Sequence, residues 1–273
     1  MTIMSCIKQV HDLDIVLKDD WVVESDGVSI NIDYANRIMN TFDETALELM
    51  LRLSDEHKVK TKVITLGDKK CDTILRKSMA VGVDRAVRIE AVENLDFKPE
   101  QVAFHLKNYI QEELKMNEDI EIVMCGRQAD NGNHGQTGQL LSEMLGWPCI
   151  TMVTDIKKIK GEYKISRMVD WGIEHLYINT PVVVTVTQSD NKLLRMATLK
   201  AMLDAKKKPI EVYSSKEINK FDIYETASPA YKLEKLTINK PIKHCIFFED
   251  KDNNSKTDQL IQLLKKQMGN EVY

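Results

Sequence analysis

Between residues 126 and 138 the chain reads Gly-Arg-Gln-Ala-Asp-Asn-Gly-Asn-His-Gly-Gln-Thr-Gly, directly after an apolar run that ends at Cys125. Gly132, Gly135 and Gly138 permit positive φ and close backbone approach. Asn131, Asn133, Gln136 and Thr137 bring neutral hydrogen-bonding groups. A strand whose carboxyl end passes through such residues into a helix N-terminus is where open α/β sheets bind ligands, because free N–H groups and the helix dipole favour anions there. Phosphates suit this loop. The G-K-[ST] ending of a Walker loop is missing, the glycine spacing is not G-x-G-x-x-G, and no lysine stands ready for a γ-phosphate. These residues favour a nucleotide held intact over one hydrolysed. The alternative is a turn-rich connection whose Asn and Gly residues merely satisfy backbone geometry.

Elsewhere the sequence offers little catalytic chemistry. There is no G-x-S-x-G, no cysteine with a credible histidine partner and no carboxylate pair set apart from the charged surface. His11, Asp12 and Asp14 lie together but read as a solvated loop. The five cysteines (Cys6, Cys71, Cys125, Cys149, Cys245) are odd in number and lack C-x-x-C spacing, so neither a disulfide framework nor a thiolate metal site is indicated. Cys6 and Cys125 stand inside apolar runs, as small buried hydrophobes do. The six histidines show no H-x-x-x-H or H-E-x-x-H spacing, which removes the usual zinc signatures.

The elements that must position the loop alternate between strand and helix. Ile3 to Val10 reads as a strand buried on both faces. Val22 to Ile30 reads as a surface hairpin around Asp26-Gly27. Thr41 with Glu44 forms a capping-box pattern ahead of a helical stripe of Phe42, Ala46, Leu49, Met50 and Leu53. Further strands are expected at Lys62 to Leu66, Arg85 to Glu90 and Ile120 to Cys125. Between them fall a helix at Cys71 to Val81 and a helix opened by Pro99, with Val102, Leu106, Tyr109, Ile110 and Leu114 as its core stripe. After Gly146-Trp147-Pro148 the rhythm changes to three strand-like stretches at Met152 to Ile159, Tyr163 to Asp170 and Ile173 to Ile178, an antiparallel meander. Pro181 to Val186 returns to a buried strand, with a helix from about Thr198 to Lys207 behind it.

The expected fold class is therefore α/β, a doubly wound and mostly parallel sheet with an antiparallel meander and an extended C-terminal tail. Residues 1–214 form the nucleotide-binding domain in this reading, and residues 215–273 the tail, with a short amphipathic helix carrying Leu260, Ile261 and Leu264. A length of 273 residues suits one large domain with an appendage. With 38 basic and 42 acidic residues, bulk charge gives no reason to bind nucleic acid. Lys206-Lys207-Lys208 is short enough to be a solvated helix end. No apolar run of about 18 residues occurs and Lys8 interrupts the start, so neither membrane insertion nor a signal peptide is expected, and the reading is cytoplasmic.

In order along the chain, Cys6 to Val10 (C-I-K-Q-V) with Asp12, Met39 to Glu48 (M-N-T-F-D-E-T-A-L-E), Ala80 to Arg85 (A-V-G-V-D-R), the loop Gly126 to Gly138, Leu145 to Pro148, Thr180 to Val186 and Ala197 to Ile210 all match one pattern. Over nearly its whole length the sequence resembles the beta subunits of electron transfer flavoproteins. The resemblance implies a domain of the adenine-nucleotide alpha hydrolase-like type that has lost hydrolysis. It also implies an alpha-subunit partner that holds most of a redox FAD, and a carrier role in place of an enzyme's. The donor would be a dehydrogenase of the acyl-CoA dehydrogenase kind. AMP would occupy this subunit's site, or a second FAD in electron-bifurcating members. A stand-alone adenine-nucleotide-binding regulatory or hydrolytic protein is the reading from another class. Carried over, the nucleotide-binding residues are Cys6, Asn40, Thr41, Phe42, Asp43, Leu66, Gly126, Arg127, Gln128, Ala129, Asp130, Asn131, Gly132, Asn133, His134, Gly135, Gln136 and Thr137. Leu199 takes the place of the leucine that docks on the dehydrogenase.

Overall fold

A computed structural model describes residues 1–32, 34–91, 95–188, 193–214, 233–238, 245–249 and 252–268. Its centre is a nine-stranded sheet in the order β11-β5-β4-β1-β6-β10-β7-β8-β9. The strands are β1 (Thr2–Cys6), β4 (Lys60–Leu66), β5 (Arg85–Glu90), β6 (Ile120–Gly126), β7 (Cys149–Ile159), β8 (Glu162–Val169), β9 (Gly172–Ile178), β10 (Val182–Val186) and β11 (Glu211–Ser214). A separate antiparallel pair joins β2 (Gln9–His11) to β3 (Arg37–Met39). From β11 to β7 every pairing in the large sheet is parallel, and β7, β8 and β9 continue it as an antiparallel meander.

Strands that read as continuous apolar runs do so because both of their faces are covered. In β6, Ile122 and Met124 enter one core while Val123 and Cys125 enter the other. The first core lies under α1 (Thr41–His57), α2 (Asp72–Ala80) and α5 (Leu199–Lys207), the second under α3 (Pro99–Lys115) and α4 (Thr137–Leu145). The doubly wound, mostly parallel sheet expected above is the observed architecture. The chain divides into two compact units, Met1–Leu236 and Thr237–Tyr273. The second contains the helix α6 (Asn253–Met268), on which Leu260, Ile261 and Leu264 are exposed. Much of the expected tail from 215 onward lies outside the described residues.

Four local expectations are revised. The apolar run from Ile3 to Val10 is two strands, because the Lys8 N–H leaves the sheet to donate to Asp43. The capping box at Thr41 and Glu44 does not form. Asn40 is the N-cap residue, Thr41 Oγ1 donates to Asp130, and Glu44 pairs with Lys77. The Asp26-Gly27 turn is present, with the Asp26 carboxylate accepting from Val28 and Ser29, but a single bridge, Val23 to Ile30, flanks it. On α3, Leu114 is exposed and Val102 half-buried, while Ala103 and Phe104 turn inward. The lysine run after Ala205 is exposed, as expected, and Arg76 Nη1 donates to the Ala205 carbonyl at 2.6 Å.

Candidate functional site

The carboxyl ends of β1, β4 and β6 open into one cavity of about 510 Å³. Its floor is Cys6, Ile64 and Cys125, and one rim is the stretch from Gly126 to Thr137. Leu95 to Pro99, the approach to α3, line it as well. The cavity therefore faces the N-terminal ends of two helices, α3 and α4, as well as the backbone of the glycine-containing loop. That placement follows from parallel topology, which puts every strand-to-helix connection of the sheet's centre on the same side.

The loop is held by α1. Asp43, buried in the first turn of that helix, accepts the Lys8 N–H at 2.7 Å and the Gly126 N–H at 2.9 Å. One carboxylate thus joins the ends of β1 and β6. Burial pushes its pKa up to about 7, against the opposing pull of those N–H donors and of Asn40. Asn40 adds two bonds: its Nδ2 donates to the Gln128 carbonyl at 2.9 Å, and its Oδ1 accepts the Asp130 N–H at 3.0 Å. Thr41 Oγ1 donates to Asp130 Oδ2 at 3.0 Å. The Arg127 N–H donates to Val186 of β10, and its guanidinium lies 5.2 Å from the centre of the Phe42 ring.

Within the loop, Gly132 and Gly135 adopt positive φ, 89° and 61°, the left-handed geometry their residue type permits. Gly138 serves a different need. A Cβ there would meet Thr185 Cγ2 at 2.5 Å, so the glycine lets the start of α4 lie against β10.

Of the residues assigned to nucleotide binding, Cys6, Asn40, Asp43, Leu66, Gly126, Arg127, Gln128, Ala129, Asn131, Gly132, His134, Gly135, Gln136 and Thr137 line the cavity. Thr41, Phe42, Asp130 and Asn133 stand behind its wall. Thr41 and Asp130 bind each other, Phe42 lies under Arg127, and Asn133 Oδ1 accepts from Gln128. The structure adds Lys8, Arg37 and Lys98, three cationic side chains, together with Gln9, Asp68 and Phe97. Pro99 marked a helix start in the sequence, and a helix start beside a strand end was the available signal for Phe97 and Lys98. Arg37 carried none.

Cys6 and Cys125 are register partners on adjacent strands, both buried. The neighbouring Cys6 thiol and burial push the Cys125 thiol well above its ordinary pKa, which disfavours the nucleophilic thiolate. Cys71, also in the wall, is pushed up to about 11 by burial and by Asp68. No cluster of three or more His, Cys, Asp or Glu side chains that could hold a metal occurs among the described residues. The pocket is partly apolar and is lined also by cations and N–H donors, which suits an organic anion with a planar part.

Leu199 lies at the start of α5, 71% exposed, with Leu193 and Met196 exposed on the segment before it. That segment is tied to α1. Buried Glu48 accepts from the Arg195 N–H at 3.1 Å, from its Nε at 3.0 Å and from its Nη2 at 3.1 Å, and Asp55 accepts from its Nη1 at 2.7 Å. Further exposed apolar side chains occur on the meander, where Trp171 is 85% exposed and Ile173 and Tyr177 of β9 are exposed. No helix among the described residues is long and apolar enough to cross a membrane.

The electron transfer flavoprotein domain model matches residues 28–218. The chain is 28% identical over 270 residues to the electron transfer flavoprotein subunit beta of Bradyrhizobium diazoefficiens, covering 98% of this chain and 99% of the relative. It is 31% identical over 215 residues to the human subunit beta, covering 78% of this chain and 80% of the relative. The subunit beta of Bacillus subtilis is 30% identical over 206 residues, 74% and 76% of the two chains. Matches of this extent, on a sheet that gathers the glycine-containing loop, α1 and the strand ends around one cavity, place the chain in the electron transfer flavoprotein beta-subunit family.

Proposed function

We propose that this chain is the beta subunit of a heterodimeric electron transfer flavoprotein that takes electrons from a dehydrogenase of the acyl-CoA dehydrogenase type and passes them to a downstream acceptor. The redox FAD is held largely by an alpha subunit, and the cavity of this chain holds an AMP that is not hydrolysed. The observation that carries this reading is the Asp43–Asn40 staple, which fixes the loop from Gly126 to Thr137 around a pocket with no metal cluster among the described residues. Lys8, Arg37, Lys98 and the loop N–H groups suit a phosphate, and Ile64, Leu66, Val102 and Leu106 suit an apolar ring. FAD supplies the reversible uptake of electrons. This chain's residues bind the AMP, exclude water from it and form part of the shell around the flavin.

The exposed Trp171, Ile173 and Tyr177 offer an apolar face of the kind covered in an assembly, and the segment from residue 215 onward is assigned to packing on the alpha subunit. Extraction of the purified heterodimer tests the nucleotide assignment, with one FAD and one AMP per heterodimer as the expected result. Two FAD without AMP would replace it with the second-FAD reading. A stable, ATP-hydrolysing protein without any partner would sink the carrier role altogether.

Leu199 is assigned as the apolar anchor on the dehydrogenase. Leu199→Ala is expected to lower the rate of flavin reduction by the dehydrogenase about tenfold at subsaturating concentrations, the effect of losing one anchor residue. Flavin content and melting temperature should stay as they were, since so exposed a side chain contributes little packing. Equal rates for variant and wild type would remove Leu199 from the docking surface.

A further inference from the structure

Phe97 adopts φ 59°, a left-handed conformation that is costly for a bulky aromatic residue. The other non-glycine residues with positive φ among those described are Lys58, Asn117, Asn133, Met152 and Lys160, so Phe97 is the aromatic among them. Strain of this kind persists where surrounding structure enforces it, and it gathers at ligand clamps. Core packing does not account for the conformation, because Phe97 is 38% exposed.

The ring extends from the approach to α3 toward the loop of Gly132 and His134. Its centre is 5.6 Å from that of the His134 ring at an interplanar angle of 52°. A Cβ built on Gly132 would lie 3.5 Å from Phe97 Cε1, in ordinary van der Waals contact, so the ring lies against the glycine-containing loop. Phe97 and His134 both line the cavity. A phenyl and an imidazole at one rim interact with a flat heteroaromatic ring by stacking or by edge contact, and they gain little from a sugar or a phosphate.

We propose that Phe97, paired with His134, is a specificity-determining residue that contacts the planar ring of the cavity's nucleotide. This rests on the nucleotide reading above and deepens it. The cavity thereby selects a ligand for its aromatic base and not for its phosphate alone. The left-handed backbone at residue 97 is the means by which the ring is turned toward the cavity.

The test uses the complete heterodimer, freed of nucleotide, with calorimetric titration of AMP and of ribose 5-phosphate. Phe97→Gly is expected to weaken AMP binding about tenfold or more and to leave ribose 5-phosphate binding unchanged. Phe97→Trp restores the AMP affinity. Relief of the positive-φ strain offsets the lost ring packing and the entropic cost of glycine, so Phe97→Gly should still unfold cooperatively and melt close to the wild type, which separates lost binding from lost folding. An unchanged AMP affinity, or an equal loss for both ligands, overturns the proposal. A wild-type heterodimer that binds no AMP overturns the nucleotide reading itself, and this proposal with it.

Discussion

Gly126→Ala is expected to destabilise the protein by about 2–5 kcal/mol, adding the usual cost of overpacking to that of a broken charge-assisted hydrogen bond, and to leave the heterodimer without bound nucleotide. The added Cβ would lie 2.2 Å from Asp43 Oδ1, 2.9 Å from Phe42 Cβ and 3.1 Å from Asn40 Nδ2. None of these atoms belongs to a flexible chain end. Asp43 is fixed by the N–H groups of Lys8 and of Gly126 itself, and Asn40 by Gln128 and Asp130. Relief of the clash therefore breaks the bonds that hold the rim of the cavity. Gly146→Ala is the comparison. There the position has positive φ, 67°, but nothing lies within 4 Å of the new Cβ, so about 1 kcal/mol of backbone strain is expected and the site is left intact. Thermal melting with nucleotide extraction measures both variants. A Gly126→Ala heterodimer with wild-type melting and full nucleotide would refute the staple.

Glu113→Ala is expected to cost about 3–5 kcal/mol, the range for removing one partner of a buried ion pair. Lys62 of β4 and Glu113 of α3 form such a pair, both almost entirely shielded from solvent. Tyr109 donates a further bond to Glu113 at 2.8 Å, and Arg85 Nη1 is 3.7 Å from its carboxylate. Without Glu113, the Lys62 ammonium is left in the core against the Tyr109 ring, and the tyrosine hydroxyl loses its acceptor. Replacing both members, Lys62→Met with Glu113→Leu, should recover most of the loss, because an apolar pair of similar volume carries no desolvation penalty. Exposed pairs such as Lys115 with Glu112 should matter by at most about 1 kcal/mol. Urea unfolding decides the question. A single Glu113→Ala variant within about 1 kcal/mol of wild type would show that water or rearrangement compensates the lysine.

What was legible in the sequence depended on how local its cause was. Arg85 to Glu90 is a strand with the expected limits because a turn bounds its start and its apolar residues are buried on both faces. The loop from Gly126 to Thr137 was legible as a unit because its glycines, amides and following helix are contiguous. The break at Lys8 was not, since the apolar pattern continues through it and the cause is Asp43, 35 residues away. Thr41 and Glu44 satisfy a local capping signature, yet Asp130, 89 residues from Thr41, takes the hydroxyl. Arg37, Lys98 and Phe97 reach the cavity from segments related to the loop only by the fold, and a positive φ at phenylalanine leaves no trace in composition or spacing.

The strand order has a consequence for how the protein is made. β10 lies between β6 and β7, although β7 precedes it in the chain. The meander of β7, β8 and β9 is built from neighbouring segments and can form as soon as it is synthesised. The centre of the sheet cannot close until residue 186 is available to enter the gap. β1, the first strand, meanwhile waits for partners about 60 and 120 residues later. Contacts this distant in sequence make folding slow and leave unpaired strand edges exposed during synthesis. The rim tied to Val186 through Arg127 therefore cannot be completed until residue 186 has been synthesised, 60 residues after Gly126.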